Sequence, residues 1–98
     1  MTTTKLEFLA TLEAIISDRL AIPSQESYTA SLVALGSKRV AQKVGEEAVE
    51  LALAAVDGSR AEVCQEAADL LYHIMVLLQT NDVGLDDVIE VLEARHTG

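Results

Sequence analysis

The chain has 98 residues, a formal net charge of −9 and a hydrophobic content of 50%. This length predicts one domain spanning residues 1–98, and the acidic charge excludes nucleic-acid binding, which requires a basic face. No apolar run approaches the roughly 20 residues of a membrane span, and the N-terminus lacks the apolar stretch of a signal peptide. We therefore expect a cytoplasmic protein that does not contact a membrane.

Hydrophobic residues at helical spacing predict an all-α fold. In the first segment they recur at Leu6, Leu9, Leu12, Ile16 and Leu20. The first predicted helix ends near Leu20, because Ala21–Ser27 is largely polar and contains the only proline. A short helix is predicted from Tyr28 to Leu35, followed by Gly36 and Ser37.

Two long helices form the centre of the predicted fold. The first runs from Ser37 to Val56, and the second from a capping box at Ser59–Glu62 to about Thr80. Because only a short turn at Asp57 and Gly58 separates them, we expect an antiparallel hairpin. A last helix is predicted from Asp86 to Arg95, and no strand-like alternation appears. The expected architecture is an all-α helical bundle built on this two-long-helix hairpin.

The C-terminal half of the second long helix is apolar around most of its circumference. The apolar positions are Ala67, Ala68, Leu70, Leu71, Ile74, Met75, Val76, Leu77 and Leu78. A helix that is apolar on all sides must be buried on all sides, and a 98-residue monomer has too few helices to surround it. We therefore expect a second subunit to complete the core, in a homodimer or higher homo-oligomer. Cys64 of the same helix is predicted to be a buried thiol.

Acidic side chains recur at helical spacing on both long helices. Spacings of three and four residues place two groups on single helical faces, namely Lys43, Glu46, Glu47 and Glu50 on the first helix and Glu66, Asp69 and His73 on the second. Glu50 precedes the turn by about as many residues as Glu66 follows it, so the two should stand at similar height. We therefore expect four carboxylates to converge between the helices, those of Glu47, Glu50, Glu66 and Asp69.

Converging carboxylates repel each other, and a hard divalent cation offsets that repulsion. An all-oxygen site favours Mg²⁺, with Mn²⁺ as an alternative, over zinc. Lys38, Arg39 and Lys43 lie one or two turns upstream and are expected to bind phosphate, so that an acidic protein can hold a polyphosphate. Two alternatives stay open from the residues alone. The acidic pattern is also typical of a solvated helix face, and Lys43 could simply pair with its acidic neighbours.

Two stretches, KVGEEAVE at Lys43–Glu50 and EAADLLYH at Glu66–His73, resemble the phosphoribosyl-ATP pyrophosphohydrolase family. Ser27–Thr29 and Gly36–Gln42 also look like this family, and the resemblance runs from roughly Leu6 to Leu92. It implies membership of the all-α nucleoside triphosphate pyrophosphohydrolases, whose Glu-Glu-x-x-Glu and Glu-x-x-Asp pattern binds magnesium. It also implies hydrolysis of phosphoribosyl-ATP to phosphoribosyl-AMP and pyrophosphate, the second step of histidine biosynthesis. Since no cyclohydrolase segment accompanies the domain, we expect the stand-alone type.

The site roles expected under this resemblance begin with metal binding by Glu47, Glu50, Glu66 and Asp69. Glu46 is a candidate to accept a proton from the attacking water, or a surface residue. His73 is expected to contact Asp69 or the substrate, or to be structural. Tyr28 and Thr29 are candidates to contact the base or ribose.

Two other functions stay open at this point. One is a house-cleaning pyrophosphohydrolase that applies the same metal chemistry to non-standard nucleoside triphosphates. The other is a non-catalytic helical assembly module whose acidic face is hydrated.

Overall fold

A computed structural model describes residues 5–21 and 28–97. A 3₁₀ turn at Lys5–Glu7 precedes five helices, which are α1 (Phe8–Ala21), α2 (Tyr28–Ala34), α3 (Ser37–Asp57), α4 (Arg60–Thr80) and α5 (Leu85–His96). The end of α1 and the bounds of the four later helices agree with the prediction to within one residue. The described ranges contain no strand, so the all-α prediction is confirmed. The predicted loop at 21–27 lies outside those ranges except for Ala21, which ends α1. None of the described helices is long and apolar enough to span a membrane.

Helices α3 and α4 form a hairpin and make the most extensive packing contact in the fold. The turn between them brings the backbone close together at Gly58, whose amide donates to the Ala54 carbonyl at 2.7 Å. A Cβ atom at Gly58 would lie 2.8 Å from that same oxygen, so a larger residue would force the turn open. The predicted capping box then begins α4, with the Glu62 amide donating to Ser59 Oγ at 3.2 Å and the Ser59 amide to Glu62 Oε1 at 3.4 Å.

A second glycine joins α2 to α3. Gly36 has a φ of 101°, a conformation that L side chains rarely adopt. Its amide donates to the Val33 carbonyl at 2.9 Å, and its own carbonyl accepts from the Arg39 amide at 3.0 Å. This turn therefore joins α2 to α3 with two backbone hydrogen bonds, and the two helices pack against each other.

The core is small and takes residues from four helices. Its buried side chains are Ile16, Leu32, Val40, Met75 and Val76. The last three lie near the start of α3 and the end of α4, so α1 and α2 cover the end of the hairpin that is far from its turn. The rest of the hairpin keeps exposed apolar side chains.

Exposed apolar residues follow the helical repeat on both hairpin helices. On α3 these are Val49, Leu53 and Val56, whose exposed fractions are 59%, 65% and 86%. On α4, Leu71 is 47% exposed, and Cys64 is exposed as well. The prediction of a buried thiol is therefore wrong for the chain by itself, because no helix in the described ranges covers that side of α4.

The dimensions of the molecule are also those of an uncovered helical framework. Its accessible surface is 7220 Å², whereas a compact monomer of this length exposes about 5,400 Å². Its radius of gyration is 14.9 Å, compared with about 13 Å for a compact domain of this size. Both values are larger than those of a compact fold of this length.

Candidate active site

The acidic side chains of the hairpin gather around Glu66 of α4. The pKa of the Glu66 carboxyl is raised above its ordinary value, first by a hydrogen bond with the Glu50 side chain and then by burial. The negative charges of Glu50, Asp69 and Glu47 raise that pKa further. The structure therefore brings together the four carboxylates that the two acidic spacings place at similar height.

Two of these carboxylates carry buried oxygens that no protein group satisfies. Glu47 Oε1 and Glu66 Oε2 are inaccessible to solvent and have no hydrogen-bond partner. A buried acceptor without a donor costs free energy, and a cation between the helices would remove that cost. The all-oxygen donor set fits a hard ion such as Mg²⁺. In the described ranges no group of three ligating side chains is arranged to hold an ion.

An open cleft of about 520 Å³ adjoins the carboxylates near the hairpin turn. Glu50 and Glu66 form part of its wall, together with Leu53, Ala54 and Val56. A separate cleft of about 440 Å³ lies between α1 and the turn that precedes α5, and no predicted site residue lines it. Of these two clefts, the first is therefore the one in which a ligand would meet predicted metal ligands.

Glu46 lies apart from the other carboxylates. It is exposed, and its carboxylate accepts a hydrogen bond from Gln42 Nε2 at 3.3 Å and pairs with Arg39 Nη1 at 3.8 Å. An exposed ion pair of this kind contributes little stability. Lys43 is half-buried and makes no ion pair with Glu46 or Glu47, while Lys38 is exposed at the start of α3. The phosphate-binding roles of the three basic residues stay predictions.

His73 is buried beside the carboxylates and is held on both sides of its ring. Its Nε2 atom lies 2.6 Å from the Tyr28 hydroxyl, and its Nδ1 atom lies 2.9 Å from the Asp69 carbonyl oxygen. Glu47, which is also buried, places Oε1 in contact with the same Nδ1 atom, but the geometry makes no hydrogen bond. The ring therefore links α2 to one of the predicted metal ligands.

A second polar contact was not anticipated from the sequence. The Thr29 hydroxyl is fully buried and contacts the Tyr72 hydroxyl, which accepts a hydrogen bond from Arg19 Nη1 at 3.2 Å. Neither Tyr72 nor Arg19 is among the predicted site residues. Arg19 and Tyr72 are 53 positions apart in sequence and meet only through tertiary packing. No local sequence signal could therefore have identified their contact.

The fold and the site together define an all-α protein whose central hairpin presents clustered carboxylates beside an open cleft. A family model described as phosphoribosyl-ATP pyrophosphohydrolase matches residues 9–96. The chain belongs to this family.

Curated relatives agree with this assignment. The histidine biosynthesis bifunctional protein HisIE of Photobacterium profundum is 53% identical over 91 residues, which cover 93% of this chain and 44% of that relative. The protein of the same name from Escherichia coli is 54% identical over 89 residues, covering 91% of this chain and 44% of that relative. The chain thus spans less than half the length of the curated relatives it matches.

Proposed function

We propose that this chain hydrolyses phosphoribosyl-ATP to phosphoribosyl-AMP and pyrophosphate in histidine biosynthesis, acting as one helical domain. The family assignment supports the substrate. The observation that carries the chemistry is the gathering of three carboxylates around Glu66, with buried acceptor oxygens on Glu47 and Glu66. Such a cluster is unfavourable in the free protein, and binding of a divalent cation with its polyphosphate relieves it.

The proposed mechanism assigns Mg²⁺ binding to Glu47, Glu50, Glu66 and Asp69. When bound, the ion supplies positive charge that offsets the charge developing on the pyrophosphate leaving group. Lys38, Arg39 and Lys43 bind phosphate oxygens from the N-terminal half of α3. These side chains orient the triphosphate for attack by water. One phosphorus–oxygen bond forms with that water as the bond to the bridging oxygen breaks.

The proton released by the attacking water needs an acceptor. Glu46 stays the candidate for this role. For the metal ion itself, Mn²⁺ stays an alternative to Mg²⁺. In this structure the exposed Glu46 carboxylate contacts Arg39 and Gln42, which leaves acceptor sites on its oxygens for a proton. The cytoplasmic location stays a prediction.

The homodimer is part of the same proposal. Among the described residues, nothing covers the apolar side chains of α3 that point away from the core, or Cys64 and Leu71 of α4. Burial of apolar surface stabilises an assembly by about 25 cal/mol per Å², so covering these side chains would favour self-association. A second copy of the hairpin is the proposed cover.

Pyrophosphate release from phosphoribosyl-ATP, measured with Mg²⁺, with chelator and after restoring Mg²⁺, tests the proposed reaction. Glu50→Gln should lower turnover by about 100-fold or more with helix content unchanged, and Glu90→Gln on exposed α5 is the matched control. Faster release from a panel of non-standard nucleoside triphosphates would instead establish the house-cleaning activity. The absence of saturable heat on titration with Mg²⁺ and a non-hydrolysable nucleotide would leave only an assembly module.

A further inference from the structure

His73 lies between two tyrosine rings in the most buried polar region of the described chain. The ring of Tyr28 meets the imidazole edge-on, with centroids 5.6 Å apart and an interplanar angle of 80°. Tyr72 meets it in the same way at 5.4 Å and 89°. Only Tyr28 places its hydroxyl against a ring nitrogen of His73, because the Tyr72 hydroxyl is directed to Thr29 and Arg19.

These contacts determine which ring nitrogen of neutral His73 carries the proton. The Asp69 carbonyl oxygen can only accept a hydrogen bond, so Nδ1 must donate to it at 2.9 Å. Nε2 is then the acceptor, and the Tyr28 hydroxyl donates to it at 2.6 Å. Both polar atoms of the ring are therefore engaged within the protein. A substrate contact by this ring would have to break one of these hydrogen bonds.

The same ring edge forms one wall around the Glu47 carboxylate. Glu47 Oε1 contacts Nδ1 of His73, and the two residues are each only 6% exposed. Since the carboxylate has no hydrogen-bond partner at Oε1, its direction is limited by the imidazole rather than by a donor. Rotation of the ring would change the space that this carboxylate can occupy.

We propose that Tyr28 and His73 are positioning residues that hold the Glu47 carboxylate toward the acidic cluster. The inference rests on the proposed magnesium site and deepens it. Tyr28 of α2 thereby controls the orientation of the Glu47 carboxylate on α3. It acts through the imidazole ring of His73 on α4. Ring partners that orient ligands of this kind change metal affinity by about 10- to 100-fold when removed. The role differs from direct contact with a base or ribose, which would change nucleotide affinity instead.

The test compares Tyr28→Phe with Tyr72→Phe in the full chain. Both substitutions keep a ring against His73 and remove one hydroxyl, but only the first removes the hydrogen bond to Nε2. Long-range ¹H–¹⁵N NMR reports which His73 nitrogen carries the proton. His96, whose Nδ1 lies 2.6 Å from the Leu92 carbonyl on exposed α5, is an internal reference in the same spectrum.

In the wild type we expect a protonated Nδ1 and an accepting Nε2 at His73. Tyr28→Phe should shift the Nε2 resonance and weaken Mg²⁺ binding by about tenfold in calorimetry, with the nucleotide KM at saturating Mg²⁺ unchanged. Tyr72→Phe should change Mg²⁺ affinity by less than about twofold. Glu47→Gln should shift the Nδ1 resonance.

Several outcomes would overturn the inference. One is a raised nucleotide KM with unchanged Mg²⁺ affinity in Tyr28→Phe, which would make Tyr28 a substrate contact. Equal effects of the two tyrosine substitutions would show that only packing is involved. If the wild type hydrolyses the substrate and Tyr28→Phe binds Mg²⁺ normally, only the positioning role is excluded. If the wild type neither binds Mg²⁺ nor releases pyrophosphate, both the proposed function and the positioning role are excluded.

Discussion

Glu50 of α3 and Glu66 of α4 line the same cleft beside the hairpin turn, and the Glu50 side chain is the first cause of the raised pKa of the Glu66 carboxyl. A hydrogen bond between two carboxyl groups needs a proton on one of them, so it favours the protonated form. Burial of Glu66 and the charges of Asp69 and Glu47 raise the pKa in the same direction. A bound cation would offset the same charges from which this shift arises.

This raised pKa predicts how the stability of the metal-free chain depends on pH. The folded state holds the Glu66 proton more tightly than the unfolded state, so this carboxyl stabilises the fold fully below its ordinary pKa of 4.5. The contribution is lost as the pH rises through the raised folded-state pKa, because the folded chain then releases the proton. Glu66→Gln should therefore raise the Tm of the metal-free protein at neutral pH and flatten the Tm–pH profile above 4.5.

Addition of Mg²⁺ separates this effect from a general gain in stability. The wild type should gain Tm with Mg²⁺ and release protons, whereas Glu66→Gln should gain little. Glu93→Gln on exposed α5 serves as the charge-matched control. A wild-type Tm that is equally insensitive to pH and to Mg²⁺ would contradict the prediction.

Glu46 and Asp69 should affect different steps of turnover. Asp69 is among the charges that raise the pKa of Glu66, whereas the Glu46 carboxylate contacts Arg39 and Gln42 at the exposed side of α3. We expect Asp69→Asn to weaken Mg²⁺ binding by about tenfold or more, and Glu46→Gln to lower kcat by about 100-fold with Mg²⁺ affinity unchanged. Calorimetry with Mg²⁺ and steady-state pyrophosphate release at saturating Mg²⁺ measure the two effects. A loss of kcat of less than about tenfold in Glu46→Gln would show that Glu46 is a surface residue and not the proton acceptor.

The helices and the height of the acidic residues could be predicted because both depend on local rules. The capping box at Ser59 begins α4, and the residue count on either side of Gly58 brings Glu50 opposite Glu66. The rotation of each helix about its axis depends on what packs against it. Glu46 and Glu47 are neighbours in sequence, yet one is exposed and the other is buried, because α3 presents Glu47 to His73.

Contacts between distant segments were beyond local rules for the same reason. Tyr28 and His73 are 45 positions apart, and the helical repeat of α4 carries no information about α2. At Cys64 a local pattern led to a wrong prediction, because the tertiary structure does not provide the expected burial. The apolar neighbours of Cys64 predicted burial, but burial needs a covering surface, which residues 5–21 and 28–97 do not supply.

Glu13 should anchor α5 to the rest of the fold. No residue of α5 is buried, and Glu13 Oε2 accepts a hydrogen bond from the Leu85 amide at 2.7 Å, at the first turn of that helix. A carboxylate at a helix N-terminus is worth about 1 kcal/mol. We expect Glu13→Ala to speed hydrogen exchange of the Leu85 amide about fivefold, with exchange in α3 unchanged. Glu90→Ala, which touches no capping group, is the control, and equal exchange in both variants would contradict the anchoring role.

The exposed apolar side chains of the hairpin predict a self-association that a single charge should disrupt. Leu71 of α4 is 47% exposed, and in the proposed dimer it lies in an apolar interface, where a carboxylate without a partner is costly. Leu71→Glu should therefore shift the wild-type dimer to a monomer in light scattering and raise the reactivity of the Cys64 thiol toward a thiol reagent. Leu6→Glu, at a position 75% exposed on the 3₁₀ turn outside the hairpin, should change neither. A wild-type chain that is monomeric at all concentrations, with Cys64 as reactive as in Leu71→Glu, would show that the hairpin remains uncovered.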